Sequence, residues 1–317
     1  MTLGATRIAA LEKALIKVGL HPSVDEPIGA KTTYRVGGNA ALFITPSAVD
    51  DLLKLDFVLR SFGDIACLVL GNGSNMLVSE QGFAGLVVQL GAGFGYERIR
   101  DNTVTLGAGS SLPVAARRVA AAGVVGFEWA VGIPGTVGGA VRMNAGGHGS
   151  DIAANLQNVS LVGLGSGAGL VSKNVSELAF GYRCSNVGAN EVVVEASFEL
   201  DLGDPAASKE RIGEIVSWRR ANQPGGQNAG SVFTNPPGDH AARLIEAAGM
   251  KGFRYRTATV SPKHANFIQA DPDGLASDVG ELMAQVRDTV KLRFGIELTT
   301  EIRLVGFSSL FDFSPHH

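Results

Sequence analysis

The sequence predicts an α+β fold in which glycine-rich turns punctuate the strands. Three observations carry this. Apolar residues recur at helical spacing in some windows (Ile8, Leu11, Leu15, Val18) and at alternate positions in others (Val192, Val194, Ala196, Phe198, Leu200). Glycine supplies 42 of the 317 residues, nearly twice the usual ~7%, and the excess gathers beside strand-like runs. No Gly-x-Gly-x-x-Gly sits between a strand and a helix, so a Rossmann dinucleotide domain is not supported.

In chain order, the first helix carries Ile8, Leu11, Leu15 and Val18 and stops at Gly19. Residues 32–38 read as a strand and turn, and 41–44 as an apolar strand. Ser47 is placed to cap a helix reaching about Arg60. Residues 66–70 and 86–90 read as buried strands, closing a small α/β unit near residue 90. A strand at 103–106 leads to a helix over 112–122, ended by Gly123. The glycine-rich run 132–147 reads as a loop. Strands follow at 158–163 and 192–200, the second alternating cleanly between apolar and largely polar positions. Gly203-Asp204-Pro205 is the best linker candidate. Beyond it the pattern predicts helices over about 208–221, 239–248 and 275–294. Strands are expected at 266–269 and 299–305, with 308–317 as a frayed tail. There is no internal repeat.

Bulk properties exclude several classes. A hydrophobic content of 45% with 18% charged residues is globular, and a net charge of −3 gives no reason to expect nucleic acid or an anionic membrane as partner. No apolar run approaches the ~18–20 residues of a membrane span, and no basic segment with an apolar core opens the chain. Two cysteines, Cys67 and Cys184, fit reduced thiols in a cytoplasmic protein. The six histidines show no ligand-like spacing, so no metal site is expected. No obligate protein partner is evident.

The chemistry gathers in the turns. Gly71-Asn72-Gly73-Ser74-Asn75, Gly107-Ala108-Gly109 and Gly132-Ile133-Pro134-Gly135-Thr136-Val137-Gly138-Gly139 could each present backbone N–H groups to a phosphate without Cβ interference. Together they suggest a large phosphate-bearing cofactor; on composition alone, tight turns in a loop-rich fold explain them as well.

Several segments resemble, in order and spacing, the bacterial UDP-N-acetylenolpyruvoylglucosamine reductases, also called UDP-N-acetylmuramate dehydrogenases (the MurB family). They are Thr33-Tyr34-Arg35-Val36-Gly37-Gly38, the run from Leu70 to Val78, Gly132 to Gly147, Phe180-Gly181-Tyr182-Arg183, Asn228-Ala229-Gly230-Ser231-Val232-Phe233 and Glu301-Ile302-Arg303. The likeness covers about residues 25–307. It implies a two-subdomain FAD-binding region of the vanillyl-alcohol-oxidase (PCMH) type plus a C-terminal α+β substrate domain. On this chain those map to 1–90, 91–203 and 204–302, with 303–317 as strand end and tail. The short segment after Leu200 lacks the Tyr-bearing loop of one subtype, so the chain resembles the loopless second subtype.

The resemblance implies an enzyme using FAD and NADPH to reduce UDP-N-acetylglucosamine-enolpyruvate. It places Arg183, Ser231 and Glu301 at catalytic positions. Arg183 is a permanent cation suited to a carboxylate, Ser231 a source of the proton for the α-carbon, and Glu301 a group to polarise the substrate carboxyl. Read singly, Arg183 is equally a surface ion-pair partner, Ser231 a turn residue, and Glu301 an exposed strand position alternating with Arg303. Cofactor contacts are expected at Gly71, Asn72, Gly73, Ser74, Asn75, Gly107, Gly109, Pro134, Gly135, Thr136, Gly138, Gly139 and Asn144. Substrate contacts are expected at Asn235, Arg220, Arg142 and Lys263, while His264 reads as a packing residue. Asn222 stands where family members commonly carry a Lys, with Arg220 two positions earlier. Two other readings share part of the pattern: a flavoprotein oxidase of the vanillyl-alcohol type acting on a hydroxy acid or sugar, which would lack the motifs at 228–233 and 301–303, and a sensor without turnover.

Overall fold

The computed structural model describes residues 4–63 and 65–307; the expected tail lies outside them. The chain divides into two compact units, each assembled from separated stretches. The first comprises residues 1–24, 41–71 and 84–219, the second 25–40, 72–83 and 220–317. This differs from three consecutive segments, and the reason is visible in the packing of each unit.

Among the described residues, five α-helices begin in the first unit: α1 (Ala5–Lys17), α2 (Val49–Arg60), α3 (Leu112–Ala121), α4 (Val137–Arg142) and α5 (Pro205–Asn222). Gly19 and Gly123 take φ of 82° and 79° just past α1 and α3, the left-handed turn that stops a helix without a Cβ penalty. The capping residue of α2 is Ala48, not Ser47. Asp51 supplies the missing acceptor, with its carboxylate taking N–H of Ser47 (2.8 Å) and of Ala48 (3.2 Å) and its pKa lowered chiefly by the Ser47 bond.

A five-stranded antiparallel sheet runs in the order Leu170–Asn174, Leu156–Gly163, Glu191–Glu199, Thr103–Gly107, Glu97–Arg100. Its central strand does not alternate as expected. The register steps from Ser160 opposite Glu195 to Leu161 opposite Val193, leaving Val194 as an extra residue. Such a bulge switches which face later side chains occupy. Val192 and Val194 therefore join one core with Leu42, Leu55 and Leu86. Val193, Ala196 and Phe198 join another with Leu106, Val119 and Phe127. One strand thus serves two hydrophobic cores within the first unit. A second, four-stranded sheet has the order Ser23–Glu26, Ala40–Ile44, Phe83–Val88, Cys67–Val69.

The expected linker at 203–205 is packed instead. Gly203 N–H donates to Gly123 C=O at 2.9 Å, and a Cβ there would lie 2.4 Å from Val125 Cγ1. Asp204 then precedes α5, its Oδ1 accepting Ala206 N–H at 2.9 Å, and Ser208, Ile212 and Ile215 of that helix are buried in the first unit. The compact unit ends at Arg219, sixteen residues later than the sequence suggested.

In the second unit, α6 (Ala241–Ala247) and α7 (Ala276–Phe294) pack with a three-stranded antiparallel meander, Arg254–Tyr255, Ala258–Val260 and Ile268–Ala270. Residues 32–38 form no strand; Arg35 has φ of 56°. They serve as core plugs, with Tyr34 fully buried and its hydroxyl donating to Ile268 C=O at 3.1 Å. The last strand is shorter than expected, Arg303–Val305, and pairs parallel with Met76–Val78.

Candidate active site

Within the first unit Gly71, the Gly107–Gly109 turn and the start of the 132–147 run converge on α4, a helix inside the run expected to be a loop. Thr136 caps it, its hydroxyl accepting Gly139 N–H at 3.3 Å. Gly138 N–H goes to Ala108 C=O (2.9 Å) and Val137 N–H to Ser110 C=O (3.0 Å), while Gly135 C=O accepts Leu112 N–H (2.9 Å). The glycines permit this closeness. A Cβ on Gly71 would sit 2.6 Å from Thr136 Oγ1, one on Gly107 2.3 Å from Phe94 O, and one on Gly138 3.0 Å from Ala108 Cβ. Gly109 likewise faces Phe94. So the amides of Gly138 and Gly139, expected to hold phosphate, are taken by protein acceptors.

Donors remain elsewhere. Among the described residues, no protein acceptor takes the N–H groups of Gly135 and Thr136 in the first unit, or of Asn72, Gly73 and Ser74 in the second. The space beside exposed Gly139 is open apart from Thr136 Oγ1 at 3.4 Å, and Pro134 is exposed as well. Backbone with unspent donors beside glycines fits a phosphate-bearing cofactor such as FAD.

Two expected contact residues are committed to the fold. Asn144 is buried; its Nδ2 donates to Gly181 C=O (3.0 Å) and Asp151 Oδ2 (3.3 Å), and its Oδ1 accepts Ala153 N–H (3.0 Å). Arg142 Nη1 donates to Gly188 C=O at 2.7 Å, and burial pulls its pKa down.

Arg183 occupies a tight hairpin turn. Gly181 and Cys184 exchange backbone bonds at 3.1 and 3.4 Å, and Arg183, third of the four residues, has φ of 59°. That conformation belongs to glycine or asparagine in such turns, so an arginine here is strained, a mark often found at functional positions. Its guanidinium carbon lies 5.2 Å from the Tyr182 ring centroid.

Ser231 and Glu301 both lie in the second unit, on neighbouring backbone segments. Phe233 bridges Thr300, and Glu301 N–H donates to Val232 C=O at 2.8 Å. Glu301 therefore stands beside the Ser231 segment, just before the final strand and not inside it. Asn75 adds a link that sequence spacing could not reveal: its Nδ2 donates to Glu301 C=O (3.0 Å) and its C=O accepts Arg303 N–H (2.9 Å). The turn expected to seat cofactor is thereby tied to the main chain of the expected catalytic Glu301.

The other substrate candidates also fall in the second unit. Lys263 Nζ donates to Arg220 C=O at 2.5 Å, bringing those two together. Asn235 Oδ1 accepts Ala241 N–H at 3.0 Å, at the start of α6, leaving its NH₂ on an exposed residue. His264 stacks edge-on against Phe267 at 4.8 Å, and burial lowers its pKa, as a packing residue would. Among the described residues no group of three His, Cys, Asp or Glu could hold a metal, and no helix is long and apolar enough to cross a membrane.

Comparison with known proteins matches residues 222–305 to the UDP-N-acetylenolpyruvoylglucosamine reductase C-terminal domain and residues 40–168 to an FAD binding domain. UDP-N-acetylenolpyruvoylglucosamine reductase 2 of Symbiobacterium thermophilum is 40% identical over 291 residues, covering 90% of this chain and 92% of that protein. The UDP-N-acetylenolpyruvoylglucosamine reductase of Geobacter sulfurreducens is 39% identical over 287 residues, 89% of this chain and 93% of that protein. The crystal structure of UDP-N-acetylenolpyruvylglucosamine reductase from Thermus caldophilus superposes with a TM-score of 0.78 at 32% identity, covering 90% of this chain and 99% of that one.

Proposed function

This chain belongs to the UDP-N-acetylenolpyruvoylglucosamine reductase family, and from that premise we propose how its own residues divide the reaction. It is an FAD-dependent oxidoreductase of peptidoglycan synthesis, with NADPH as reductant. The match over 222–305 sets aside the oxidase alternative, which has no use for that domain. The substrate is UDP-N-acetylglucosamine-enolpyruvate, reduced to UDP-N-acetylmuramate. The setting is the cytoplasm, in keeping with two free cysteines. The first unit chiefly seats the cofactor, and the second takes the sugar nucleotide.

When bound, FAD supplies hydride, drawn from NADPH, for the β-carbon of the enolpyruvyl group. Negative charge then builds on the α-carbon and spreads into the adjacent carboxylate. Arg183 meets that carboxylate with a planar cationic fork, the kind of preorganised charge that favours the transition state. Ser231 gives its hydroxyl proton to the α-carbon. An alcohol is a weak acid, and it serves here because the enolate is a strong base. Glu301 hydrogen-bonds the substrate carboxyl. Asn72, Gly73, Ser74, Gly135 and Thr136 offer their unspent amides to the cofactor, while Gly71, Gly107, Gly109 and Gly138 let the supporting backbone close up. Lys263, Arg220 and Asn235 are assigned to the sugar nucleotide.

The observation that carries the catalytic reading is the 2.8 Å bond from Glu301 N–H to Val232 C=O, which keeps the carboxyl-bearing residue beside the Ser231 segment. Stopped-flow spectroscopy tests it. Ser231→Ala keeps flavin reduction by NADPH at the native rate and slows flavin reoxidation by the enolpyruvyl substrate about 10²- to 10⁴-fold. Equal slowing of both steps removes Ser231 from the proton-donor role.

A further inference from the structure

Resting on the assignment of Arg183 to the substrate carboxylate, we propose that Asn144 and Ser185 are positioning residues that clamp the turn presenting Arg183. The turn from Gly181 to Cys184 needs an external hold. Its two internal backbone bonds, at 3.1 and 3.4 Å, fix its shape but not its direction. Arg183 also holds a φ of 59°, a conformation disfavoured for a residue with a Cβ. Surrounding structure has to impose that conformation.

One hold acts on each leg. On the incoming leg, Gly181 C=O accepts Asn144 Nδ2 at 3.0 Å. On the outgoing leg, Ser185 Oγ donates to Arg142 C=O at 2.7 Å. Both anchor points lie at the end of α4, so the turn is fastened to the helix against which Gly71 and the Gly107–Gly109 turn pack. Asn144 is itself immobilised: it is buried, its Oδ1 accepts Ala153 N–H, and its Nδ2 also reaches Asp151 Oδ2 at 3.3 Å. Asp151 is held in turn by Ala154 N–H at 3.2 Å. An asparagine is the side chain that can accept from an amide on one side and donate to a carbonyl on the other. It also tolerates its own φ of 39° better than most.

Asn144→Asp separates these duties. The new carboxylate keeps the acceptor for Ala153 N–H but turns an unpaired oxygen towards Gly181 C=O and Asp151. Protonation restores a donor, and the neighbouring Asp151 carboxylate raises the pKa of the introduced group. The expected signature is therefore dependent on pH. In FAD-loaded protein, reduction by NADPH stays within about twofold of native. Reoxidation by the enolpyruvyl substrate falls about 10²-fold at pH 8, as a roughly 1 Å misplacement can produce. The ratio to native then recovers as pH is lowered to 5.5. Ser185→Ala, at a half-buried site, slows the same step by severalfold without the pH recovery. In cofactor-free protein both variants are cleaved faster by trypsin after Arg183. If Asn144→Asp does not fold, Ser185→Ala carries the test by the same two readouts. Native reoxidation rates in both variants, or equal slowing of both steps, overturn the clamp. Arg183→Gln is the control: if it reoxidises like native, the Arg183 assignment itself fails. If it is slow while the clamp variants are not, only the clamp fails.

Discussion

Replacing Arg183 by glycine and by alanine separates strain from chemistry at one position. Both substitutions remove the guanidinium and its contact with the Tyr182 ring, so those losses cancel between them. What differs is the backbone. At φ of 59°, alanine retains a Cβ penalty of about 1–2 kcal/mol that glycine lacks. Glycine costs about 0.4–1 kcal/mol more through the freedom of its unfolded chain. The difference leaves Arg183→Gly more stable than Arg183→Ala by roughly 0.8 kcal/mol, the reverse of the usual order in regular structure. For a chain of this length an unfolding entropy of about 0.7 kcal/mol/K makes that a shift of about 1 °C in Tm. Parallel thermal melts of the two cofactor-free variants read the difference, and urea midpoints check it. Both variants slow flavin reoxidation by the enolpyruvyl substrate about 10²- to 10³-fold. An alanine variant more stable than the glycine one refutes the strained turn, and activity in either near native refutes the role of the cation.

Four further outcomes follow from packing and titration. Gly107→Ala drives a Cβ to 2.3 Å from Phe94 O and lowers stability by about 3 kcal/mol, read by denaturant midpoint. Gly139→Ala, with Thr136 Oγ1 3.4 Å away as its sole near neighbour, leaves the midpoint level or higher. A thiol reagent at pH 8 labels exposed Cys184 quickly and Cys67 only on unfolding. Burial pushes the Cys67 thiol up from 9.0 to about 11. The unfolded thiol thus ionises first, so this group's contribution is intact below pH 9 and is lost as pH climbs towards 11. A Cys67→Ala comparison across that window isolates it; identical pH slopes in the two proteins refute the shift.

Periodic segments were legible from sequence. Helices α1, α2, α3 and α7 show apolar spacing with glycine or cap signals, and the bounds expected for α2, α3 and α7 differ from those observed by a residue or two. The features left hidden depend on distant partners. The Val194 bulge exists through its pairing with residues 160–161, and nothing in 191–199 announces it. Helix α4 has adjacent glycines, each unfavourable by about 1 kcal/mol in a helix; the Thr136 cap and the close seat on Ala108 outweigh them. The strand Met76–Val78 finds its partner 227 residues onward at Arg303. At the site, the family resemblance assigned Ser231, Glu301 and Arg183 to catalysis, and that assignment is carried forward as part of the proposed mechanism. The resemblance could not show that Asn75 ties Glu301 in place, nor that Asn144 is spent on Gly181. An amide side chain is as suited to holding its own protein as to holding a ligand, and coordinates alone separate the two.

The interleaving of the two units constrains how this protein can be made. Residues 25–40 and 72–83 leave the ribosome early, yet the unit they complete lacks its remaining stretch until residue 220 and beyond has been synthesised. Tyr34 has to wait for Ile268, and Leu77 for Leu304. Nascent chains stalled before residue 300 hold apolar segments with no place to dock, and they invite chaperones and proteases. No single cut yields two self-sufficient fragments: expression of residues 204–317 alone would omit the early-made plugs, and a chain ended before Arg303 would strip Met76–Val78 of its neighbour.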